Sequence, residues 1–230
     1  MKKLNASGTS LALCALALLA VAPKPAAAQS QSFREGKWQF AIPINFVSGK
    51  KLDGEGGSFV DLNSDVGWGI SFGYNLNQRF MLGFETTWLN ANYDATVEYD
   101  DNGDGTVDGT ANIGGRLDAA SLQAVGQFNA LEGKFTPFVR GNLGFTYTDS
   151  SIPSAPPQGA CWWDPWWGYT CGTWQPTYDR TSFSFGGGLG GRAEFGRSFF
   201  LEASFNVLWI SFSQSTPSFT GVRVTAGWAM

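Results

Sequence analysis

The sequence predicts an all-β protein, an eight-stranded antiparallel up-and-down transmembrane β-barrel with short periplasmic turns and long extracellular loops. Three observations predict this fold class. Apolar and polar residues alternate with a period of two in eight separate stretches. The connections between these stretches are alternately short and long, as they are in transmembrane barrels. The last stretch, 221–230, has one apolar face, which suits a closing strand whose two edges are both paired.

Residues 1–28 have the pattern of a secretory signal peptide. Two lysines precede an apolar run over 11–22, and three alanines before residue 29 form a cleavage site. A lipoprotein signal centred on Cys14 is the alternative, and it is disfavoured because that cysteine lies inside the apolar run. We therefore expect cleavage after Ala28, which leaves residues 29–230 as a single outer-membrane β-barrel domain.

The mature chain is acidic and retains two cysteines. Signal cleavage removes three of the 15 basic residues and none of the 19 acidic residues, so the net charge becomes −7. This balance argues against nucleic acid as a partner. Cys161 and Cys171 are expected to form a disulfide, because exported proteins enter an oxidising periplasm. No later segment offers the roughly 20 continuous apolar residues of a helical span.

The first four strands are predicted over 37–48, 59–76, 79–93 and 120–129. Their polar faces carry mainly small or amide side chains, and Asn77 with Gln78 makes a tight turn between the second and third strands. The apolar faces carry Trp38, Phe40, Ile42, Ile44 and Phe46; then Leu62, Val66, Trp68, Ile70, Phe72 and Tyr74; then Phe80, Leu82, Phe84 and Trp88; and then Ala120, Leu122, Ala124 and Phe128.

The last four strands are predicted over 139–147, 182–195, 201–209 and 221–230. The connections after the second, fourth and sixth strands are short turns, whereas those after the first, third, fifth and seventh strands are longer, the third and fifth much longer. The apolar faces carry Val139, Leu143, Phe145 and Tyr147; then Phe183, Phe185, Leu189, Ala193 and Phe195; then Leu201, Ala203, Phe205, Val207 and Trp209; and then Val222, Val224, Ala226, Trp228 and Met230.

The polar faces decide between a membrane barrel and a soluble barrel, because both have one apolar face per strand. A face in contact with water should carry lysine and glutamate freely, but the mature chain contains only four lysines. Gly, Ser, Thr, Asn and Gln with a few opposed charges suit a crowded polar interior. Tryptophans near strand ends (Trp38, Trp68, Trp88, Trp209 and Trp228) are typical of interfacial girdles. The sequence therefore predicts a membrane barrel.

Two segments carry a family resemblance. PFVRGNLGF over 137–145 and SFGGGLG over 184–190 resemble the fifth and sixth strands of the small eight-stranded outer-membrane β-barrel superfamily, the opacity-protein and outer-membrane-protein-A-type group. The resemblance implies the bacterial outer membrane, contact with its lipid and lipopolysaccharide, and assembly by the barrel-assembly machinery through the C-terminal strand. Met230 departs from the Phe or Trp that usually ends such barrels, but Trp228 keeps an aromatic ring on the same face.

Six charged residues fall on the predicted inward faces: Glu85, Arg140, Arg192, Glu194, Glu202 and Arg223. One interpretation is a polar pore or a gate of ion pairs. The other is a structural salt-bridge network that plugs a narrow lumen, since an unpaired buried charge is costly and mixed signs neutralise one another. We favour the network because an eight-stranded barrel leaves little room for a channel.

The loop DDNGDGTVD over 100–108 resembles the first half of a calcium-binding loop. Oxygen ligands at the required spacing are offered by Asp100, Asn102, Asp104, Thr106 and Asp108. The bidentate glutamate of such loops is missing, because Ala111 occupies its position. The alternatives are a weak calcium site and an acidic loop in which glycine and aspartate simply make turns.

A second loop is unusually aromatic. Five tryptophans fall within thirteen residues of it, and its aromatic set is Trp162, Trp163, Trp166, Trp167, Tyr169 and Trp174. This is not normal surface composition. One hypothesis is a disulfide-stapled knob that docks on a lipid, glycan or partner surface. The other is a loop that folds back to cap the barrel mouth or joins the aromatic girdle.

Catalysis is not expected. The outer-membrane barrels that are enzymes resemble one another in using a catalytic histidine, and this sequence contains none. We therefore expect a monomeric, non-enzymatic outer-membrane barrel that, apart from the calcium hypothesis, needs no cofactor. Its expected role is surface interaction or envelope integrity. The alternative is a small passive pore or transporter for apolar or small solutes.

Overall fold

The structure is a computed structural model that describes residues 34–53, 58–99, 107–154, 156, 158–196, 198–212 and 215–230. The predicted signal peptide lies outside these residues. The strands are β1 Trp38–Val47, β2 Lys50–Asp53, β3 Phe59–Leu62, β4 Asp65–Asn75, β5 Phe80–Tyr99, β6 Gly109–Asn129, β7 Phe135–Pro153, β8 Gln158–Asp164, β9 Gly168–Trp174, β10 Thr177–Phe195, β11 Phe199–Ser211 and β12 Ser218–Ala229. In this part of the chain there is no helix long and apolar enough to cross a membrane.

Eight of these strands form a closed antiparallel ring. The order around the ring is β5, β4, β1, β12, β11, β10, β7 and β6, and pairing of β6 with β5 completes it. The first and last ring strands, β1 and β12, are joined near their ends, where Trp38 N donates to Met230 O at 2.9 Å and Met230 N donates to Trp38 O at 2.7 Å. The predicted eight-stranded antiparallel barrel is therefore confirmed.

The barrel wall has an apolar outside and a polar inside. Trp68, Phe84 and Phe205 are all more than half exposed on the outer surface, as the alternation predicts. Aromatic pairs lie at both ends of this apolar band, with ring centroids 4.9 Å apart for Trp68 and Trp88 and 5.6 Å apart for Phe199 and Trp228. Because adjacent residues of a strand point to opposite faces, the small and charged residues between them fill the lumen.

The second predicted strand, 59–76, is wrong as a single element. It is broken at 63–64 into β3 and β4, and Leu62, predicted to face lipid, is buried. β4 pairs with β5 only as far as Trp88, so the outer part of β5 needs another partner. β3 bends away from β4 and pairs there with β5, and β2 pairs with β3.

The long connections contain more strand than the sequence predicts. β5 and β6 run to Tyr99 and from Gly109, so they extend well beyond the predicted limits of 93 and 120. β7 and β10 are 19 residues each. The aromatic loop between them forms its own two-stranded sheet, β8 paired with β9. These extensions all lie at the end of the barrel opposite the short turns.

Candidate functional site at the outer mouth of the barrel

The alternation of β5 changes its chemistry along the strand. In its inner part, Leu82 and Phe84 face outward and Glu85 faces the lumen. In its outer part, Asn90 and Asn92 are exposed, whereas the residues that face inward are Ala91, Tyr93 and Ala95, with exposed fractions of 2%, 5% and 6%. The barrel wall is therefore polar outside and apolar inside beyond the membrane-facing band.

These inward residues form an apolar cluster at the outer mouth. Its buried members are Leu62, Ala91, Tyr93 and Ala95, which come from β3 and β5. Further side chains of β3 and β5, together with side chains of β2, β6, β7 and the start of β12, pack against them, namely Leu52, Val60, Leu89, Leu117, Ile152 and Phe219. The β2–β3 hairpin matters here because it brings Leu52, Val60 and Leu62 over a mouth that the outer part of β5 alone would leave open.

The cluster surrounds a cavity of about 470 Å³. Its upper wall is almost entirely apolar and includes Leu52, Leu62, Leu117, Ile113, Val97 and Phe219. The hydroxyl of Tyr93, one of the few polar groups at this level, donates to Ser150 O at 2.9 Å. Burial raises the pKa of Tyr93, so this hydroxyl stays protonated and engaged. The cavity therefore offers an occupant a large apolar surface and few free hydrogen-bonding groups.

The floor of the cavity is charged. Glu85 lies between Arg223 and Arg140, accepting hydrogen bonds from both Nη atoms of Arg223 and lying 3.5 Å from Arg140 Nη1. Arg140 also lies 3.3 Å from Glu202. All four side chains are less than a tenth exposed. Such buried charges are tolerated because each has a partner of opposite sign.

The charges continue as a single chain of ion pairs toward the periplasmic end. Arg192 contacts Glu202 at 3.0 Å and Glu194 at 2.7 Å, and Glu194 contacts Arg34 at 2.9 Å. Two amides take part, since Gln127 Oε1 accepts from Arg140 Nη2 at 2.8 Å and Gln39 Oε1 accepts from Arg192 Nη1 at 3.0 Å. The structure thus brings all six predicted lumen charges into one alternating network that fills the lumen below the cavity.

Arg34 is a member of this network that the sequence did not reveal. It is fully buried, and besides Glu194 it donates to Gln78 O at 2.7 Å, Leu131 O at 3.2 Å and Gly133 O at 2.7 Å. These carbonyls belong to two periplasmic turns, so one guanidinium ties them together and closes that end. Arg34 precedes β1 in a stretch without alternation, and therefore no periodicity signal marks it.

The disulfide is present, and the aromatic loop is a hairpin. Cys161 and Cys171 lie directly opposite each other in β8 and β9 and are bonded. Trp162 is in β8 and Trp174 in β9. The side chains exposed by 71–87% are Trp163, Trp166, Trp167 and Tyr169. Rings this exposed do not cap the barrel mouth.

The calcium hypothesis stays a prediction. Asp100, Asn102, Asp104 and Thr106 lie outside the described residues, and only Asp108 lies within them. Elsewhere in the described part of the chain, no three acidic, cysteine or histidine side chains are grouped closely enough to hold a metal ion.

Comparison with known proteins agrees with this geometry. The family model described as "Outer membrane protein beta-barrel domain" matches residues 12–229. Comparison with curated proteins finds no match. Among solved structures, the chain is similar to the outer membrane protein OprG from Pseudomonas aeruginosa, at 13% identity over 87% of this chain and 98% of that one, with a TM-score of 0.49.

Two other solved barrels have a similar fold. Neisserial surface protein A is 13% identical over 85% of this chain and 97% of that chain, with a TM-score of 0.46. Ail, the attachment invasion locus protein of Yersinia pestis, is 14% identical over 85% of this chain and 98% of that chain, with a TM-score of 0.43.

Proposed function

Because this chain belongs to the outer membrane protein β-barrel domain family, whose place is the bacterial outer membrane, we propose that it binds an apolar small molecule in the cavity at its outer mouth. The members of the family are outer-membrane barrels rather than enzymes, and the binding role is non-catalytic. The observation that carries the proposal is the apolar cavity of about 470 Å³ above a charged floor.

The size and lining of the cavity support a small ligand. Ligand sites typically measure about 300–1,000 Å³ and are lined mainly by apolar side chains with a few polar groups. Here the apolar walls come mainly from β2, β3, β5 and β6, polar groups such as the Tyr93 hydroxyl are few at this level, and Glu85 and Arg140 lie at the floor. An uncharged, largely apolar molecule gains from burial in the walls and leaves few hydrogen bonds unmade.

The closed lumen counts against the alternative of a passive pore. Glu85, Arg140 and Glu202 lie across the lumen directly below the cavity, and Arg192 and Arg34 continue the network to the periplasmic turns. A solute leaving the cavity through the lumen would have to break paired buried charges, which is costly. Contacts with lipopolysaccharide and with the barrel-assembly machinery, and the monomeric state, remain predictions.

The test is a titration of the nanodisc-embedded protein with the uncharged apolar fluorophore N-phenyl-1-naphthylamine, with empty nanodiscs as the background. We expect saturable binding by the wild type. Ala95→Phe fills the cavity from inside and should weaken binding at least about tenfold, equivalent to about 1.4 kcal/mol. Asn92→Phe adds a ring to the outer face of the same strand and should leave binding unchanged.

Two outcomes would overturn the proposal. One is wild-type fluorescence no higher than that of empty nanodiscs. The other is equal affinity in the wild type and Ala95→Phe, because a ligand of the cavity must compete with a ring placed inside it. Heat-modifiable migration on gels shows whether each variant retains the closed barrel.

A further inference from the structure

The hairpin β8–β9 is a separate element at the outer end of the barrel. It forms a sheet of its own, with seven residues in each strand and register from Gln158 opposite Trp174 to Asp164 opposite Gly168. The disulfide between Cys161 and Cys171 joins its two strands in the middle. An isolated hairpin is marginally stable in water, and this cross-link holds the two strands together.

The tip of the hairpin has a fixed backbone. Asp164 Oδ1 accepts hydrogen bonds from Trp166 N at 2.8 Å and from Trp167 N at 3.0 Å. Gly168 closes the turn with a φ of 78°, a conformation that a residue with a side chain rarely adopts. The hairpin's own hydrogen bonds therefore fix the backbone that carries the two adjacent tryptophans.

Four aromatic rings are presented to solvent around this tip. The exposed fractions are 87% for Trp166, 83% for Trp167, 72% for Trp163 and 71% for Tyr169. None of the aromatic ring pairs found in the described part of the chain includes them, although many other rings are paired there. Each such side chain has about 150–250 Å² to bury. Together they make an apolar patch of the size that marks an interaction site.

The chemistry of the hairpin selects the kind of partner. The connection over 154–176 contains no lysine or arginine, and Asp164 is its only charged residue. Two polar side-chain atoms near the tip are engaged within the hairpin, because Asp164 Oδ1 accepts from the turn and Thr170 Oγ1 donates to Gly168 O at 3.4 Å. Anionic lipids require basic residues. What remains is a preference for a surface that accepts amphipathic indoles, which is the interfacial layer of a zwitterionic bilayer.

The base of the hairpin lies beyond the apolar layer of the protein's own membrane. β7 and β10 have 19 residues each, whereas a membrane-crossing strand needs about 9–11 residues. The remaining residues raise the base of the hairpin roughly 20 Å beyond the apolar band at the usual strand tilt. We propose that the stapled aromatic hairpin docks on the zwitterionic phospholipid bilayer of an apposed cell or vesicle, inserting Trp166 and Trp167 at its interface.

The experiment is co-flotation of the nanodisc-embedded full-length protein with phosphatidylcholine vesicles, with empty nanodiscs as the background. We expect the wild type to float with the vesicles. The partition coefficient of the double variant Trp166→Ser/Trp167→Ser onto the vesicles should be lower than that of the wild type by at least about tenfold. Tyr178→Ser is the matched control, because it removes an exposed ring of β10 outside the hairpin, and it should float like the wild type.

Three results would overturn the proposal. They are a wild type that stays with the empty-nanodisc background, equal flotation of the wild type and the double tryptophan variant, and flotation that requires phosphatidylglycerol in the vesicles. The proposal is independent of the cavity, so the Ala95→Phe protein should float like the wild type. Failure of apolar-ligand binding would therefore leave the bilayer result unchanged.

Discussion

At the scale of single residues, the lumen shows how a membrane barrel keeps charges in its interior. Glu85 is shared by Arg223 and Arg140, and Glu202 is shared by Arg140 and Arg192. A shared carboxylate satisfies two guanidiniums at once, so the side chains neutralise one another away from water. Removing one partner leaves the others buried and uncompensated, which costs more than the pair contributes.

We predict that Glu85→Gln destabilises the barrel by about 3–5 kcal/mol, because Arg223 and Arg140 lose their shared counter-charge. The measurement is equilibrium urea unfolding of the protein in phospholipid vesicles. The matched control is Glu132→Gln, which breaks the exposed pair with Arg79 and should cost less than about 1 kcal/mol. Equal effects of the two substitutions would show that burial of the network contributes no special stability.

We also predict that Arg34→Met lowers the free energy of unfolding by about 1.5–3 kcal/mol, because it removes the contacts that hold the periplasmic end together. The guanidinium donates to three turn carbonyls as well as to Glu194, and hydrogen bonds to charged groups contribute in this range. The same unfolding assay measures the change. Arg79→Met, at an exposed position of one of these turns, is the control, and a loss as large as that of Arg34→Met would contradict the assignment.

At the scale of strands, one element serves two environments. β5 presents Phe84 to lipid in its inner part and Asn92 to water in its outer part, while its inward face changes from Glu85 to Ala91 and Tyr93. The period of two is unbroken, but the polarity assigned to each face is reversed. Close packing between strands also sets local requirements, and β7 contains a clear example at Gly144.

We predict that Gly144→Ala destabilises the pairing of β6 and β7 by about 1–3 kcal/mol, the usual cost of overpacking. A Cβ at Gly144 would lie 2.1 Å from the backbone oxygen of Leu122, which belongs to the neighbouring strand. Gly141→Ala is the control in the same strand, because a Cβ there meets nothing within 4 Å. It should be neutral or slightly stabilising in the same unfolding assay, and a loss equal to that at Gly144 would refute the steric explanation.

At the scale of the whole molecule, ring closure explains why the barrel suits a membrane. Pairing of β1 with β12 and of β5 with β6 leaves the ring without a free edge within the membrane-facing band, and lipid offers no alternative hydrogen-bond partners. The small radius of an eight-stranded ring lets side chains fill the interior. The ion-pair network does so here from Arg223 to Arg34.

We predict that the wild-type protein gives no steady ion-selective openings in planar bilayers. A charge-neutral variant carrying Glu85→Ala, Arg140→Ala, Arg192→Ala and Glu202→Ala should conduct, because it removes the central side chains of the network. Gel migration and circular dichroism must first show that this variant still forms the barrel. Steady openings from the wild type would instead favour the passive pore.

The sequence by itself determined the ring of eight strands, the lipid-facing residues such as Phe84 and Phe205, the inward charges and the Cys161–Cys171 bond. It determined the strands and their faces because alternation of side chains is a local property that every transmembrane strand must obey, and it determined the disulfide because an exported chain with two cysteines enters an oxidising periplasm. Only the tertiary structure decided the break after Leu62, the burial of Arg34 and the apolar mouth around Tyr93. These depend on which distant strand supplies a partner, and where the surroundings of a strand change from lipid to water, the same alternation no longer tells which face is buried.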